Sequence, residues 1–130
     1  MLSKTQLPKG GGRGLKIVGR GLITIKTRAE GELRYVRNVR DVLALLKEGA
    51  AGKIVMVDDA GVTLLGPVLS KLAGVVCLSG SLGSHLAIVS REFSIPALMD
   101  TRLETAEPIH GRRVIIQPQD GSNGLLLLEE

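Results

Sequence analysis

Residues 75–92, VVCLSGSLGSHLAIVSRE, decide how the rest of this sequence is interpreted. They begin with an apolar run of strand length, continue through a loop with two glycines, and end in a pattern of helical period that starts at about Ser84. After a strand, such a loop can turn its backbone N–H groups toward one point, and Ser84 can cap the helix. This order predicts an anion site at a helix N-terminus, with His85 beside it.

His85 gives this site a possible chemistry. A neutral imidazole nitrogen can accept a phosphoryl group, and N–H donors at a helix start stabilise the resulting anion. The lysine-bearing signature of a P-loop is missing from the sequence. The same residues also permit a plain surface histidine at a helix start, and the glycine loop alone does not decide between the two.

The flanking sequence predicts one α/β domain, because short apolar strands alternate with helical or glycine-rich connections. The strands are expected near 15–27 with a bend at Gly19 and Gly21, near 33–36 after a turn at 29–32, and near 54–57, 75–78 and 96–99. Helices are expected over about 39–48, from Pro67 to about Leu72, and over 84–92. Residues 112–117 and 125–128 flank a hairpin turn at 120–124.

Composition limits the class of protein. With 130 residues and 44% hydrophobic side chains, the chain has the material for one core. Residues 1–14 are glycine-rich and basic and predict a flexible tail, which leaves 15–130 as the domain. A single cysteine, Cys77, excludes a disulfide framework, and no apolar run approaches the roughly 18 residues of a membrane span. We therefore expect a cytoplasmic protein that does not contact the membrane.

The charge distribution bears on possible partners. The formal net charge is +4, with the excess in the first 40 residues, but aromatic residues make up only 2% of the chain. Single-stranded nucleic acids are usually bound on aromatic platforms beside basic residues. We therefore expect a solvated basic face and no nucleic acid, and docking of an anionic partner on the N-terminal half stays open.

Residues 74–101 resemble the signature of the mobile phosphohistidine domain of phosphoenolpyruvate-utilising enzymes, which include phosphoenolpyruvate synthase and pyruvate phosphate dikinase. The pattern runs roughly G-[IV]-V-T-x-x-G-G-x-T-S-H-A-A-I-V-A-R-x-x-x-I-P-A-[VL]. Within the loop and helix, the matching positions are Gly80, Ser84, His85, Ala87, Ile88, Val89 and Arg91, and after the helix they are Ile95, Pro96 and Ala97. Weaker likeness extends over about 50–128.

The resemblance implies a swivelling β/β/α phosphohistidine domain in which His85 carries the phosphoryl group. It also implies a phosphate-binding loop formed by Gly80, Ser81, Gly83 and Ser84, with Arg91 as a further candidate ligand and no metal site. In the family this domain moves between an ATP-grasp nucleotide-binding part and a second substrate site, often a phosphoenolpyruvate-binding barrel. We therefore expect this chain to be the carrier alone, with Mg²⁺ and ATP or phosphoenolpyruvate bound by partner subunits.

Three positions depart from the family pattern. Ser81 replaces the second loop glycine, Gly83 replaces a threonine, and Cys77 replaces the threonine that dikinases phosphorylate for regulation. The resemblance thus implies that this regulation is absent. It also leaves an alternative open, in which a degenerate histidine loop makes the chain a noncatalytic binding domain.

Other polar residues have plainer interpretations. His110 precedes a strand and predicts a solvated loop histidine, and Asp58 with Asp59 predicts a polar strand end rather than a cation site. In an ideal helix Arg91 lies roughly 120° around the axis from His85, so an ion pair with Glu92 or Glu104 is its alternative role.

Overall fold

The computed structural model describes residues 14–59 and 64–130, and within these ranges the chain forms a mixed α/β structure. Seven strands, in the order β1-β5-β4-β3-β2-β6-β7, close into a barrel. The strands are β1 (Leu15–Ile23), β2 (Ala29–Tyr35), β3 (Ile54–Val57), β4 (Gly74–Cys77), β5 (Ala97–Leu103), β6 (Arg113–Pro118) and β7 (Asn123–Glu129). The helices are α1 (Val39–Glu48), a 3₁₀ helix at Leu69–Lys71, and α2 (His85–Glu92).

The barrel has a parallel side and an antiparallel side. Strands β2, β3, β4 and β5 pair in parallel, whereas β1, β6 and β7 join antiparallel to their neighbours. Parallel neighbours need a crossover connection, and α1 and α2 supply two of them. The carboxyl ends of the four parallel strands therefore meet at one edge of the barrel, which we call the carboxyl edge.

Side-chain alternation creates two cores. On β3, Ile54 and Met56 face the barrel interior, while Val55 and Val57 join the outer core beneath the helices. The outer core also takes Val42 from α1 and Leu86 from α2, so both helices cover the parallel side. This explains why these strands are apolar throughout, since both of their faces are buried.

Most of the predicted elements are confirmed. The strands near 54–57, 75–78 and 96–99, the helix at 39–48 and the hairpin of β6 and β7 are present with small shifts in their ends. The strand predicted over 15–27 ends at Ile23, and its pairing shifts register near Gly19 and Gly21, where the sequence predicts a bend. The tail predicted over 1–14 lies outside the described residues except for Gly14.

Two local predictions are wrong. Residues 29–32 belong to β2 and are not a turn, because Gly31 provides close backbone approach: a Cβ there would overlap the carbonyl oxygen of Gly52. An α-helix does not begin at Pro67; a turn leads into the 3₁₀ helix instead. The short segment before β4 places Val68 and Leu72 in the outer core.

Candidate functional site

The carboxyl edge is held together by hydrogen bonds between residues that follow different strands. The Tyr35 hydroxyl at the end of β2 donates to the carboxylate of Asp58, at 2.7 and 2.9 Å from its two oxygens. Ser79 Oγ donates to the Asp58 carbonyl at 2.7 Å, and the Asp100 N–H donates to the Ser79 carbonyl at 3.0 Å. The loop that leads to His85 therefore starts at Ser79, a residue bonded to Asp58 just after β3 and to Asp100 within β5.

The Tyr35 and Asp58 pair also changes the properties of the phenol. Hydrogen bonding to the Asp58 carboxylate, together with partial burial, raises the pKa of Tyr35 above its ordinary value. The Arg37 guanidinium lies 5.2 Å from the centre of the same ring, within cation–π range. Tyr35 thus remains a neutral donor that orders this edge.

The loop from Gly80 to Ser84 is built around a compact turn. Gly80 has φ of +83°, a conformation that glycine adopts without steric cost. The Ser81 side-chain oxygen accepts the Gly83 N–H at 3.2 Å, and the Ser81 carbonyl accepts both the N–H and the hydroxyl of Ser84, at 3.1 and 2.8 Å. The departure from glycine at Ser81 therefore adds a hydroxyl that stabilises this turn.

His85 is the first residue of α2, and its side chain is exposed. Ser84 occupies the N-cap position, as predicted, but its hydroxyl bonds to Ser81 and makes no capping hydrogen bond. The first N–H groups of a helix have no carbonyl one turn earlier to bond. In residues 14–59 and 64–130, no acceptor is found for the N–H groups of His85, Leu86 and Ala87, nor any partner for the imidazole.

The other candidate residues have contacts within the loop. Gly83 and Ser84 belong to the predicted phosphate-binding loop, and their N–H groups are bonded to Ser81. Arg91 Nη2 donates to the Leu82 carbonyl at 3.0 Å, so this side chain braces the loop from the helix. Within the described residues, Arg91 forms neither of its alternative ion pairs, with Glu92 or with Glu104, and Glu104 instead pairs with Arg20 at 2.6 Å. Contact of any of these residues with a phosphoryl group stays a prediction.

Sequence reasoning missed the role of the second histidine. His110 is exposed, as expected, but its Nδ1 accepts the Tyr35 N–H at 2.9 Å and so extends the pairing between β2 and the segment before β6. It therefore lies at the carboxyl edge as well. Nothing local in the sequence indicates this contact, because the two partners are 75 positions apart.

The described residues offer little other chemistry at this edge. Among the residues that the structure describes, no group of three or more histidine, cysteine or acidic side chains could hold a metal ion. Cys77 is fully buried, and burial raises the pKa of its thiol. No helix in the described part of the chain is long and apolar enough to span a membrane.

Comparison with known proteins assigns the family. The family described as "PEP-utilising enzyme, mobile domain" matches residues 46–124, more than half of the chain, and the match includes the loop and His85. The chain belongs to this family. Its matched part contains β3, β4, β5 and α2, the elements that form and flank the candidate site.

Two curated proteins carry a region similar to this mobile domain. Chondramide synthase cmdD of Chondromyces crocatus is 34% identical over 108 residues, which cover 83% of this chain and 3% of that protein. A pyruvate kinase of Sporosarcina psychrophila is 29% identical over 105 residues, which cover 81% of this chain and 17% of that protein. The chain thus spans only a small fraction of the length of these relatives.

Similarity to solved structures is lower. A crystal structure of muramoyltetrapeptide carboxypeptidase from Oxalobacter formigenes aligns with a TM-score of 0.49 and 16% identity, covering 89% of this chain and 50% of that one.

Proposed function

We propose that this mobile domain is a phosphoryl carrier that is phosphorylated on His85. The observation that carries the proposal is the position of His85, exposed as the first residue of α2, in a chain of the PEP-utilising family. In the proposed step, an imidazole nitrogen forms a bond to phosphorus as the bond from phosphorus to the donor oxygen breaks, and that oxygen keeps the electron pair.

The helix start supports the phosphorylated form electrostatically. The unpaired N–H groups at residues 85–87 and the positive end of the helix dipole stabilise a phosphoryl dianion next to them. Arg91 keeps the loop close to the helix through Leu82 and adds positive charge on the next turns. The contribution of Gly80, Ser81, Gly83 and Ser84 to phosphate binding is then mainly indirect: they fix the backbone path of the loop. The Ser81 hydroxyl and carbonyl close the turn by accepting hydrogen bonds from Gly83 and Ser84.

The proposal includes partners and movement. A swivelling β/β/α domain would present His85 in turn to an ATP-grasp nucleotide-binding subunit or domain and to a phosphoenolpyruvate- or substrate-binding one. Mg²⁺ and ATP or phosphoenolpyruvate would be bound there, because phosphoryl transfer needs metal or cationic groups around the transferred phosphate. The cytoplasm is the proposed location, in keeping with a single, fully buried cysteine.

Intact-mass measurement tests this function directly. The full chain is incubated with a candidate ATP-grasp or barrel subunit and ATP or phosphoenolpyruvate, and a phosphoryl adduct that is labile in acid and stable in base is expected. His85→Ala should abolish the adduct. Since the chain has two histidines, His110→Ala is the matched control and should retain it. The chain alone should not turn over either phosphoryl donor.

A second candidate is a noncatalytic domain that binds an anion or a partner through the same loop. The observation that favours it is the use of the Gly83 and Ser84 N–H groups inside the Ser81 turn, which leaves fewer donors for a transferred phosphate. Inorganic phosphate that shifts the amide resonances of α2 in a chain that no partner can phosphorylate would favour this candidate. An adduct that persists at the wild-type rate in His85→Ala would contradict the carrier assignment.

A further inference from the structure

The outer surface of α1 carries an apolar stripe that no described part of the chain covers. Val39, Leu43 and Leu46 are 62%, 58% and 39% exposed, although the three lie on a helix whose other side is in the outer core. Their spacing of i, i+4 and i+7 places them within about 60° of one another around the helix axis. Three large apolar residues aligned in this way form the pattern of a helix that docks in a groove or against another helix.

The two flanks of the stripe differ. At about 100° per residue, Val42 and Leu45 lie on one side of it and point into the outer core, while Arg40 and Lys47 lie about 90° away on the other side. The exposed surface of α1 is therefore an apolar stripe with a basic border. We call it the α1 stripe, formed by Val39, Arg40, Leu43, Leu46 and Lys47.

The basic border is not neutralised within the described chain. The acidic residues of α1 are engaged elsewhere, since Asp41 accepts the Arg37 N–H at 2.8 Å and Glu48 pairs with Arg34. Among residues 14–59 and 64–130, Arg40 and Lys47 form no ion pair. Both charges are thus available to an incoming surface.

We infer that the α1 stripe binds an amphipathic helix of a partner protein whose apolar side is bordered by carboxylates. Charge opposes an antiparallel pairing of two copies of this chain, because the two-fold axis would bring each flank of α1 against its own copy. Arg40 and Lys47 would then face the same two cations, and like charges oppose such contacts. A partner helix with an acidic flank in the same position would instead place carboxylates against Arg40 and Lys47, which is favourable.

The size of the α1 stripe sets the affinity expected for the partner helix. Three partly exposed apolar side chains and two cations amount to a small interface, typical of transient rather than permanent complexes. The affinity of the α1 stripe for the partner helix should fall as salt is added, because exposed charges are screened by dissolved ions. This inference does not depend on phosphorylation of His85, which lies on a different helix.

The test uses two hydrocarbon-stapled helical peptides with the full chain. Both have leucines at i, i+4 and i+7, and they differ only in carrying glutamates or lysines along one flank. In amide chemical-shift titrations, the glutamate peptide should perturb α1 and bind about tenfold or more tightly than the lysine peptide. Leu43→Asp should abolish this binding, and the double variant Arg40→Glu with Lys47→Glu should reverse the preference.

Matched controls keep the outcome clear. Leu103→Asp places the same change at another exposed apolar residue, and Lys26→Glu reverses an exposed charge on a distant loop; neither should alter binding. Circular dichroism checks that each variant is folded. Equal affinity of the two peptides, or no loss on Leu43→Asp, would overturn the inference. So would self-association of the chain or binding to anionic vesicles, if Leu43→Asp abolished either.

Discussion

The barrel wall and the histidine loop use glycine in opposite ways. In the wall, a Cβ at Gly21 would lie 2.6 Å from the Met99 carbonyl oxygen, and one at Gly124 would lie 2.7 Å from Leu98 Cδ1. At Gly83 in the loop, the nearest atom to such a Cβ is Ser81 Oγ, at 3.9 Å. The wall glycines allow strands to close around a packed interior, whereas the loop glycine leaves space beside the helix start. One region resists any change of volume, and the other is open to a ligand.

Hydrogen bonding follows the same division. In the described residues, the backbone groups of the wall are bonded through seven strand pairings, so that every strand has a neighbour on either side. The loop satisfies part of its own backbone through Ser81 and leaves the first N–H groups of α2 without an acceptor among the described residues. A stable wall thus supports a site whose remaining donors are available for binding.

The largest expected effect is that of Gly31→Ala. The added Cβ would overlap the Gly52 carbonyl, a backbone atom that cannot turn away, so we expect the free energy of unfolding to fall by about 3 kcal/mol. Gly83→Ala is the matched control, because its φ lies outside the left-handed region and its surroundings are open. It should change stability by about 0.5 kcal/mol or less. Urea denaturation of both variants measures the difference, and equal losses would contradict the proposed division between wall and loop.

A smaller effect is expected where the two regions meet. Ser79→Ala removes the hydroxyl that donates to the Asp58 carbonyl, so we expect a loss of about 1 kcal/mol in unfolding free energy. The loop before His85 should also become less ordered, and phosphorylation by the partner should be slower by a few fold. Ser122→Ala, in the exposed hairpin turn, provides the control and should leave both quantities unchanged.

Stability and phosphorylation separate the possible outcomes for Ser79. A loss of stability with an unchanged labelling rate would mean that Ser79 serves only the barrel. No change in either measurement would show that the bond from Ser79 to Asp58 does not anchor the loop.

The parallel side of the molecule could be predicted from sequence, and the reason is its local pattern. The runs at 54–57 and 75–78 are apolar at every position, and the helices that bury their outer faces show helical periodicity in their apolar residues. On the antiparallel side, the hairpin of β6 and β7 could be predicted from its turn residues, but closure of the barrel could not. Closure of the barrel depends on β1 pairing with both β5 and β7, which is a property of distant segments.

The wrong prediction at 29–32 has a long-range cause. Glycine is common in turns, so the sequence predicts a turn there, whereas the role of Gly31 depends on its close approach to Gly52, 21 positions along the chain. The candidate site shows the same limit. His85 and the loop can be predicted from sequence because they form one continuous motif. The contacts of His110 with Tyr35 and of Ser79 with Asp58 cannot, because they exist only in the assembled edge.

The smallest expected effect concerns charge on the outside of the barrel. Glu32 on β2 pairs with Lys53 at 3.1 Å and with Arg34 at 3.0 Å, and these partners hold the pKa of its carboxyl below the ordinary value. Because the folded state favours the ionised form, the pairs stabilise the protein fully above the ordinary glutamate pKa. Their contribution is lost as pH falls through the lowered pKa of the folded state.

Glu32→Gln should therefore lower the free energy of unfolding by about 0.5 kcal/mol at neutral pH, a modest value because the side chain is 37% exposed and screened by solvent. The difference from the wild type should shrink as the pH is lowered through and below the range of glutamate titration. Denaturation curves across this pH range measure it, with the exposed Glu92→Gln on α2 as the control. A difference that stayed constant with pH would assign the loss to side-chain packing rather than charge. The outer surface would then resemble the interior, where volume rather than charge determines stability.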